Sequence, residues 1–260
     1  GKEVAAKEEQ PSVEFKNVSL TYSGSGAPSV EGINFKAMKG QTIGVIGGTG
    51  SGKSSIVNLI PRLYDATQGE VLVDGVNVKD YDIETLRNKV GIVMQKAVLF
   101  KGTIRENMWM GKKGATDEQI DEALEISQSK EFVDSKQGRL DYVIEQGGKN
   151  LSGGQRQRLT IARAIVRKPD VLILDDSASA LDFATDAALR KAIRGMNNSP
   201  TVFIVSQRAA SLMYADLIIV LDDGQVAGMG THDELLANCE VYIEIYESQF
   251  KKADSEGGVA

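Results

Sequence analysis

The chain has 260 residues, a formal net charge of −6 and 42% hydrophobic residues, a length that suits one large domain or a core with a subdomain. The acidic balance speaks against a nucleic-acid binder, which needs a basic footprint. The single cysteine, Cys239, excludes an internal disulfide and fits a reducing compartment as a small apolar residue of a late helix.

No apolar run approaches the ~20 residues that span a bilayer, and no signal peptide is visible. The chain opens on Gly1 and a charged stretch, Lys2 to Gln10, so residues 1–11 are expected to be a linker or tag remnant on an excised piece. Alternation predicts strands at Val13–Phe15 and Val18–Tyr22, a Gly/Ser turn at Ser23–Ala27, and a further strand at Ile33–Lys36. The apolar strand Thr42–Ile46 leads into a glycine-rich loop and a helix from about Lys53 to Ile60, stopped by Pro61. Glu70–Val73, Asp74-Gly75 and Val76–Val78 read as a hairpin. Val90–Met94 reads as a short buried strand ending at Gln95.

From Lys96 to Arg167 the pattern turns helical, with Asp117–Ile126 periodic and Gly154–Arg167 carrying Leu159, Ala162, Ile165 and Val166 on one side before Pro169. Strand Val171–Leu174, helix Phe183–Arg194, strands Thr201–Val205 and Leu217–Leu221, a turn at Asp223-Gly224 and C-terminal helices follow. Buried strands alternating with helices predict a parallel α/β core. The expected organisation is a first core part at 12–95 with a β subdomain, a helical insertion at 96–167, a second core part at 168–250 and a polar, mobile tail at 251–260.

Gly47-Gly48-Thr49-Gly50-Ser51-Gly52-Lys53-Ser54, followed by Ser55, fits G-x-x-x-x-G-K-[S/T] between a strand and a helix. Glycines let backbone N–H groups close around phosphates, and the helix N-terminus adds the positive end of its dipole. Lys53 is placed to reach the β- and γ-phosphates of a nucleoside triphosphate such as ATP, and the Ser54 hydroxyl to ligate Mg²⁺. Asp175 closes the strand Val171–Leu174, where a carboxylate downstream of such a loop partners Mg²⁺. Leu151-Ser152-Gly153-Gly154-Gln155 opens a helix and offers a second phosphate-binding start. Two half-sites on one surface imply a dimer in which each chain gives one half to each nucleotide.

In this order the motifs resemble the nucleotide-binding domain of an ATP-binding cassette (ABC) transporter of exporter type, over nearly everything from Ser12 to Phe250. The resemblance implies an ABC ATPase fold: a P-loop NTPase-like parallel core sheet, an antiparallel β subdomain and an inserted helical subdomain. The glycine loop resembles Walker A and Val171–Asp175 Walker B. Gln95 resembles the glutamine that touches Mg²⁺ and the membrane domains. Leu151–Gln155 resembles the signature motif, and Ser179-Ala180-Leu181-Asp182 the D-loop, with Asp182 near the nucleotide. Tyr22 matches the aromatic that stacks on adenine, with Val30 packing nearby. Leu99–Asn107 and Val143–Gly148 are exporter-like, and Glu145 matches a residue that faces coupling helices. Trp109 reads as packing within the helical insertion, and His232, after Thr231 and before Glu234, as a surface residue at a capped helix start rather than a catalytic base.

Two positions depart from that family's pattern. Where it has a Glu that polarises the attacking water, this chain has Asp176, one methylene or roughly 1.5 Å shorter. Where it has a His on the γ-phosphate, this chain has Gln207, whose amide donates a hydrogen bond but never becomes cationic. Both changes spare binding and weaken in-line attack. The pattern resembles the degenerate half of a heterodimeric exporter at the cytoplasmic face of a membrane, with the membrane domains reached through the Gln95 and Glu145 regions. Its own Walker site is then the weak one, and its signature completes the site of a partner that carries the Glu and the His. The alternatives are a slow homodimeric ATPase with Asp176 as base, and an ATP-dependent dimerisation module unconnected with transport.

Overall fold

The computed structural model describes residues 9–96 and 98–256. Most of the segment expected to be a linker or tag remnant, and residues 257–260 of the expected tail, lie outside them. In chain order the elements are β1 (Val13–Leu20), β2 (Val30–Ala37), β3 (Thr42–Gly47), α1 (Lys53–Asn58), β4 (Gln68–Val73), β5 (Val76–Asn77), α2 (Ile83–Lys89) and β6 (Val90–Val93). The helical stretch comprises β7 (Gly102–Thr103), α3 (Ile104–Trp109), α4 (Asp117–Ile126), α5 (Lys130–Asp134), β8 (Val143–Ile144) and α6 (Gly153–Ile165). Then follow β9 (Val171–Asp175), α7 (Phe183–Arg194), β10 (Thr201–Val205), β11 (Leu217–Asp222), β12 (Gln225–Gly230), α8 (His232–Asn238) and α9 (Glu240–Glu256).

The central sheet runs β12-β11-β3-β10-β9-β6, and its strands β11, β3, β10, β9 and β6 are parallel. Their sequences are nearly unbroken apolar runs because both faces are covered: every residue of β9 is buried. The edge strand β12 is antiparallel to β11, so the sheet is mixed rather than wholly parallel. It turns back through Asp223 (φ 47°) and Gly224 (φ 77°), a pair suited to the left-handed turns that match strand twist. Asp74 (φ 50°) and Gly75 (φ 77°) do the same between β4 and β5. A second sheet, β2-β1-β4-β5, is antiparallel.

Three apolar clusters divide the interior. The first joins the antiparallel sheet, α1 and one side of the central sheet, with Phe15, Phe35 and Phe203 in ring contact. The second packs α3, α4, α6 and α7 against Leu172, Leu174 and Val202. The third seats Tyr242 of α9 with Leu235 of α8 against Ile46, Ile218 and Val220.

The regular part of α1 ends at Asn58, two residues before the expected limit. Its last turn tightens into bonds from Leu59 N–H to the Ile56 carbonyl and from Ile60 N–H to the Val57 carbonyl, because Pro61 disfavours a continued α-turn. His232 is not the surface residue expected. It is half-buried, its Nδ1 lies 2.6 Å from the Tyr242 hydroxyl, and its ring meets those of Tyr242 and Tyr246. Burial pushes the Tyr242 phenol up to about 12. Trp109 donates its indole N–H to the Ala115 carbonyl at 3.0 Å, and Cys239 is buried between α8 and α9. Among the described residues no helix is long and apolar enough to cross a membrane.

Candidate nucleotide site

The parallel strands end along one edge of the sheet, and register alone brings the sequence-marked residues together there. β3 pairs with β10, β10 with β9, and β9 with β6, with Val205 opposite both Val45 and Asp175 and Val93 opposite Leu174. The segments that leave this edge carry Gly47, Gln207, Asp176 and Gln95. Asp176 N–H donates to the Val205 carbonyl at 2.9 Å and Ser206 N–H to the Val45 carbonyl at 3.1 Å, so the ladder continues to the point where the site begins.

Between β3 and α1 the loop Gly47–Ser54 wraps back on itself. Gly52 has φ 100°, and a Cβ there would lie 2.6 Å from Val30 Cγ1 and 2.7 Å from the Ser29 carbonyl oxygen. Only glycine fits, and this is where Val30 acts: it is fully buried behind the loop, as packing for Gly52. Lys53 Nζ donates to the carbonyls of Gly47 and Gly48, both at 2.8 Å, which holds the ammonium over the loop. Gly48, Thr49, Gly50 and Ser54 are exposed, while the buried Ser51 hydroxyl has no hydrogen-bond partner among the described residues. Tyr22 donates or accepts a 2.7 Å hydroxyl bond with Ser55 and stands edge-to-face with Tyr64 at 4.9 Å.

Ser54 Oγ donates to Asp175 Oδ2 at 3.0 Å. Burial pushes the Asp175 carboxyl up, opposed first by that hydrogen bond, while the neighbouring Asp176 raises it further and Lys53 lowers it. Burial likewise raises Asp176, opposed by Arg208 and then Lys53. Lys53 is lowered by burial and raised by the two aspartates. Three ionisable groups thus share a half-buried pocket in which burial shifts each toward its neutral form, and the Lys53–carboxylate attraction opposes that shift. Among the described residues no cluster of three or more His, Cys, Asp or Glu side chains is placed to hold a metal by itself. One hydroxyl and one carboxylate fit Mg²⁺, which takes one or two carboxylates and fills its shell from phosphates and water.

Gln95 is exposed just past β6. Gln207 is exposed past β10, and its carbonyl accepts from Gln249 Nε2 at 2.6 Å. Asp176 takes a left-handed backbone, φ 49°, a conformation that Asp tolerates better than most residues.

The other half-motif opens α6. Ser152 Oγ accepts from Gln155 N–H, and Gln155 Oε1 accepts from Ser152 N–H, both at 3.1 Å, a reciprocal cap. That bond occupies the Gln155 amide and leaves Gly153 and Gly154 to present backbone N–H groups. Gln157, one turn further, was not marked by the sequence. It is buried, its Oε1 accepts from Ala180 N–H at 2.9 Å and its Nε2 donates to Ser179 Oγ at 3.1 Å, so α6 is tied to Ser179–Asp182. Asp182 caps α7 by accepting from Thr185 N–H at 2.7 Å. Arg208, also unassigned from sequence, bonds the Ala178 carbonyl at 3.4 Å beside Asp176. Glu145 is exposed beyond β8, its N–H held by Asn150 Oδ1 at 3.0 Å. A groove of about 600 Å³ between α7 and residues 210–215 contains none of the loop residues.

A phosphate loop between the first strand and helix of a parallel core, a Ser–Asp pair at its mouth and a helix-capping Ser-Gly-Gly elsewhere define an ATP-binding domain with the ABC ATPase fold. The chain belongs to the ABC transporter family, whose sequence profile matches residues 30–179. It is 42% identical over 250 residues to an uncharacterized ABC transporter ATP-binding protein of Mycobacterium tuberculosis, a match covering 95% of this chain and 42% of that protein. It is 38% identical over 240 residues to a Staphylococcus aureus protein provisionally named for multidrug export, as an ATP-binding/permease protein, covering 92% of this chain and 42% of that one. A bacterial Atm1-family ABC exporter solved with ATP bound superposes with a TM-score of 0.87 at 33% identity, over 93% of this chain and 42% of that one. The chain therefore spans less than half the length of the proteins it matches, and corresponds to their nucleotide-binding part.

Proposed function

We propose that this chain is the ATP-binding part of an exporter half-transporter, that it holds Mg-ATP head to tail against a second nucleotide-binding domain, and that its own Walker site hydrolyses poorly. The observation that carries the reading is the pairing of a complete binding apparatus with two altered catalytic positions, Asp176 and Gln207. Lys53 faces the β- and γ-phosphates, Ser54 and Asp175 hold Mg²⁺ with Gln95, and the metal's chemistry is to screen the phosphate charge and orient its oxygens. Asp176 is the carboxylate nearest the attacking water, and a shortfall near 1 Å costs about a hundredfold in rate. Gln207 donates a hydrogen bond to the γ-phosphate without adding a cation. Ser152, Gly153 and Gly154 close over the partner's nucleotide, whose chain supplies the Glu and the His.

The membrane domains dock on the loop after β6 and on the β7–β8 ribbon. Met94, Val98, Phe100 and Val143 are large apolar side chains exposed by about half there, next to Gln95 and Glu145, and such patches mark interaction surfaces. The working location is the cytoplasmic face of a membrane. The test is ATP binding and steady-state hydrolysis by the purified chain. Mg-ATP binds and turnover stays far below the ~10 s⁻¹ typical of enzymes; turnover at that rate would make Asp176 a working base and the homodimeric ATPase the better account.

A further inference from the structure

We propose that Gln249, just past the middle of α9, is a positioning residue for the segment that carries Gln207. Its side-chain amide spans the backbone on both sides of Arg208: Oε1 accepts from Ala209 N–H at 2.8 Å, and Nε2 donates to the Gln207 carbonyl at 2.6 Å. One side chain thereby pairs with two backbone groups of a segment that has just left β10, much as a neighbouring strand would. A carboxamide offers a donor atom and an acceptor atom side by side on one uncharged group, and of Asn and Gln the latter has the longer reach.

The helix that presents this amide is fixed in depth. Tyr242 is wholly buried with Ala209, Leu212 and Ile46, and Ile245 and Tyr246 pack against the same cluster. Residues 242, 245, 246 and 249 fall on one face of a 3.6-residue helix, so the side that anchors α9 also carries the clamp. Ile46 is the last residue before Gly47. The C-terminal helix thus shares a core with the end of β3, where the phosphate loop begins, and, seven residues on, holds the segment that carries Gln207. Ala209 is fully buried, so withdrawing the amide leaves its N–H short of a partner in a packed setting.

The proposal rests on the reading of Gln207 as the residue at the γ-phosphate, and two measurements separate the clamp from that reading. Gln249→Met keeps length and helix propensity and removes both bonds. In the 260-residue chain, amide exchange over residues 206–210 is expected to quicken at least tenfold in Gln249→Met while the Tm moves by no more than a few degrees. Unchanged exchange would overturn the clamp. The second measurement is the calorimetric affinity for Mg-ATP and for Mg-ADP in wild type, Gln249→Met, Gln207→Ala and the double variant. Each single change is expected to lower the preference for ATP over ADP by about three- to tenfold, the range of one hydrogen bond. ADP affinity should hold within twofold, and the double variant should fall no further than the worse single. Losses that multiply would show that Gln249 acts apart from Gln207 and overturn the positioning role. Faster exchange in Gln249→Met with no change of nucleotide preference in Gln207→Ala would uphold the clamp and refute the assignment of Gln207. Gln249→Glu, which keeps the acceptor and sets a carboxylate oxygen against the Gln207 carbonyl, should fail to rescue either readout.

Discussion

Asp176 is held by its backbone more than by its side chain. Its N–H is spent on the Val205 carbonyl and its φ is 49°, while the carboxyl is raised by burial and drawn down by Arg208 and Lys53. Against a glutamate, what this side chain lacks is reach. On the proposed reading, Asp176→Glu in a forced homodimer of this chain is expected to raise ATP turnover, by less than the hundredfold that full placement is worth, because Gln207 in place of a His would still leave the γ-phosphate and water loosely held. Asp176→Glu with Gln207→His should gain more than the product of the two single gains, since groups serving one transition state act as a unit. Steady-state phosphate release for the four proteins checks it, and gains that simply multiply would argue against a shared catalytic unit.

Among the elements, α6 is the one whose two ends have different work. Its start is capped by Ser152 and Gln155, and its second turn holds Ser179 and Ala180 through Gln157. Gln157→Leu removes both ties. Ser179 and Ala180 are exposed, so water replaces part of what is lost, and a loss of about 1 kcal/mol is expected, read as a lower denaturant midpoint at constant slope. The helix start at Leu151–Gln155 was legible in the chain, and so were β3, β9, β10 and β11, whose short apolar runs match strands buried on both faces. α2 was not: one of its seven residues, Leu86, is buried, and no period can be read from one position. β12 was missed for a related reason. Gly228 and Gly230 give it no strand signal, yet a Cβ at Gly228 would stand 2.7 Å from Cys239 Sγ, so the small residue is what lets the α8–α9 junction sit on the sheet. The site divides the same way. Gly47–Ser54 and Asp175 are contiguous with their strands and speak for themselves, whereas Gln157, Arg208 and Gln249 acquire meaning only when folding sets them beside segments 22 to 42 residues away.

At the scale of the whole molecule, the phosphate loop and the signature rest on different cores. The loop is backed by the cluster that holds Val30 and Ile56, and α6 belongs to the cluster around Leu159 and Leu172. In the head-to-tail arrangement proposed above, each half serves a different nucleotide, and damage to the two halves should have unequal effects. Gly153→Asp places a carboxylate where a γ-phosphate is to be received, a like-charge contact with desolvation cost. A Cβ at Gly153 would lie 3.7 Å from Ala180 Cβ, an ordinary contact, so the fold is expected to tolerate the change. On the same proposal, Asp176→Asn alters only a site that hydrolyses poorly. In the complete transporter with its wild-type partner, Gly153→Asp is expected to abolish most ATPase and transport activity, and Asp176→Asn to leave most of the ATPase. Reconstitution of both variants and comparison of turnover decides it: if Asp176→Asn is as damaging as Gly153→Asp, this chain's own site is a working one, and the asymmetric arrangement gives way to a slow symmetric ATPase.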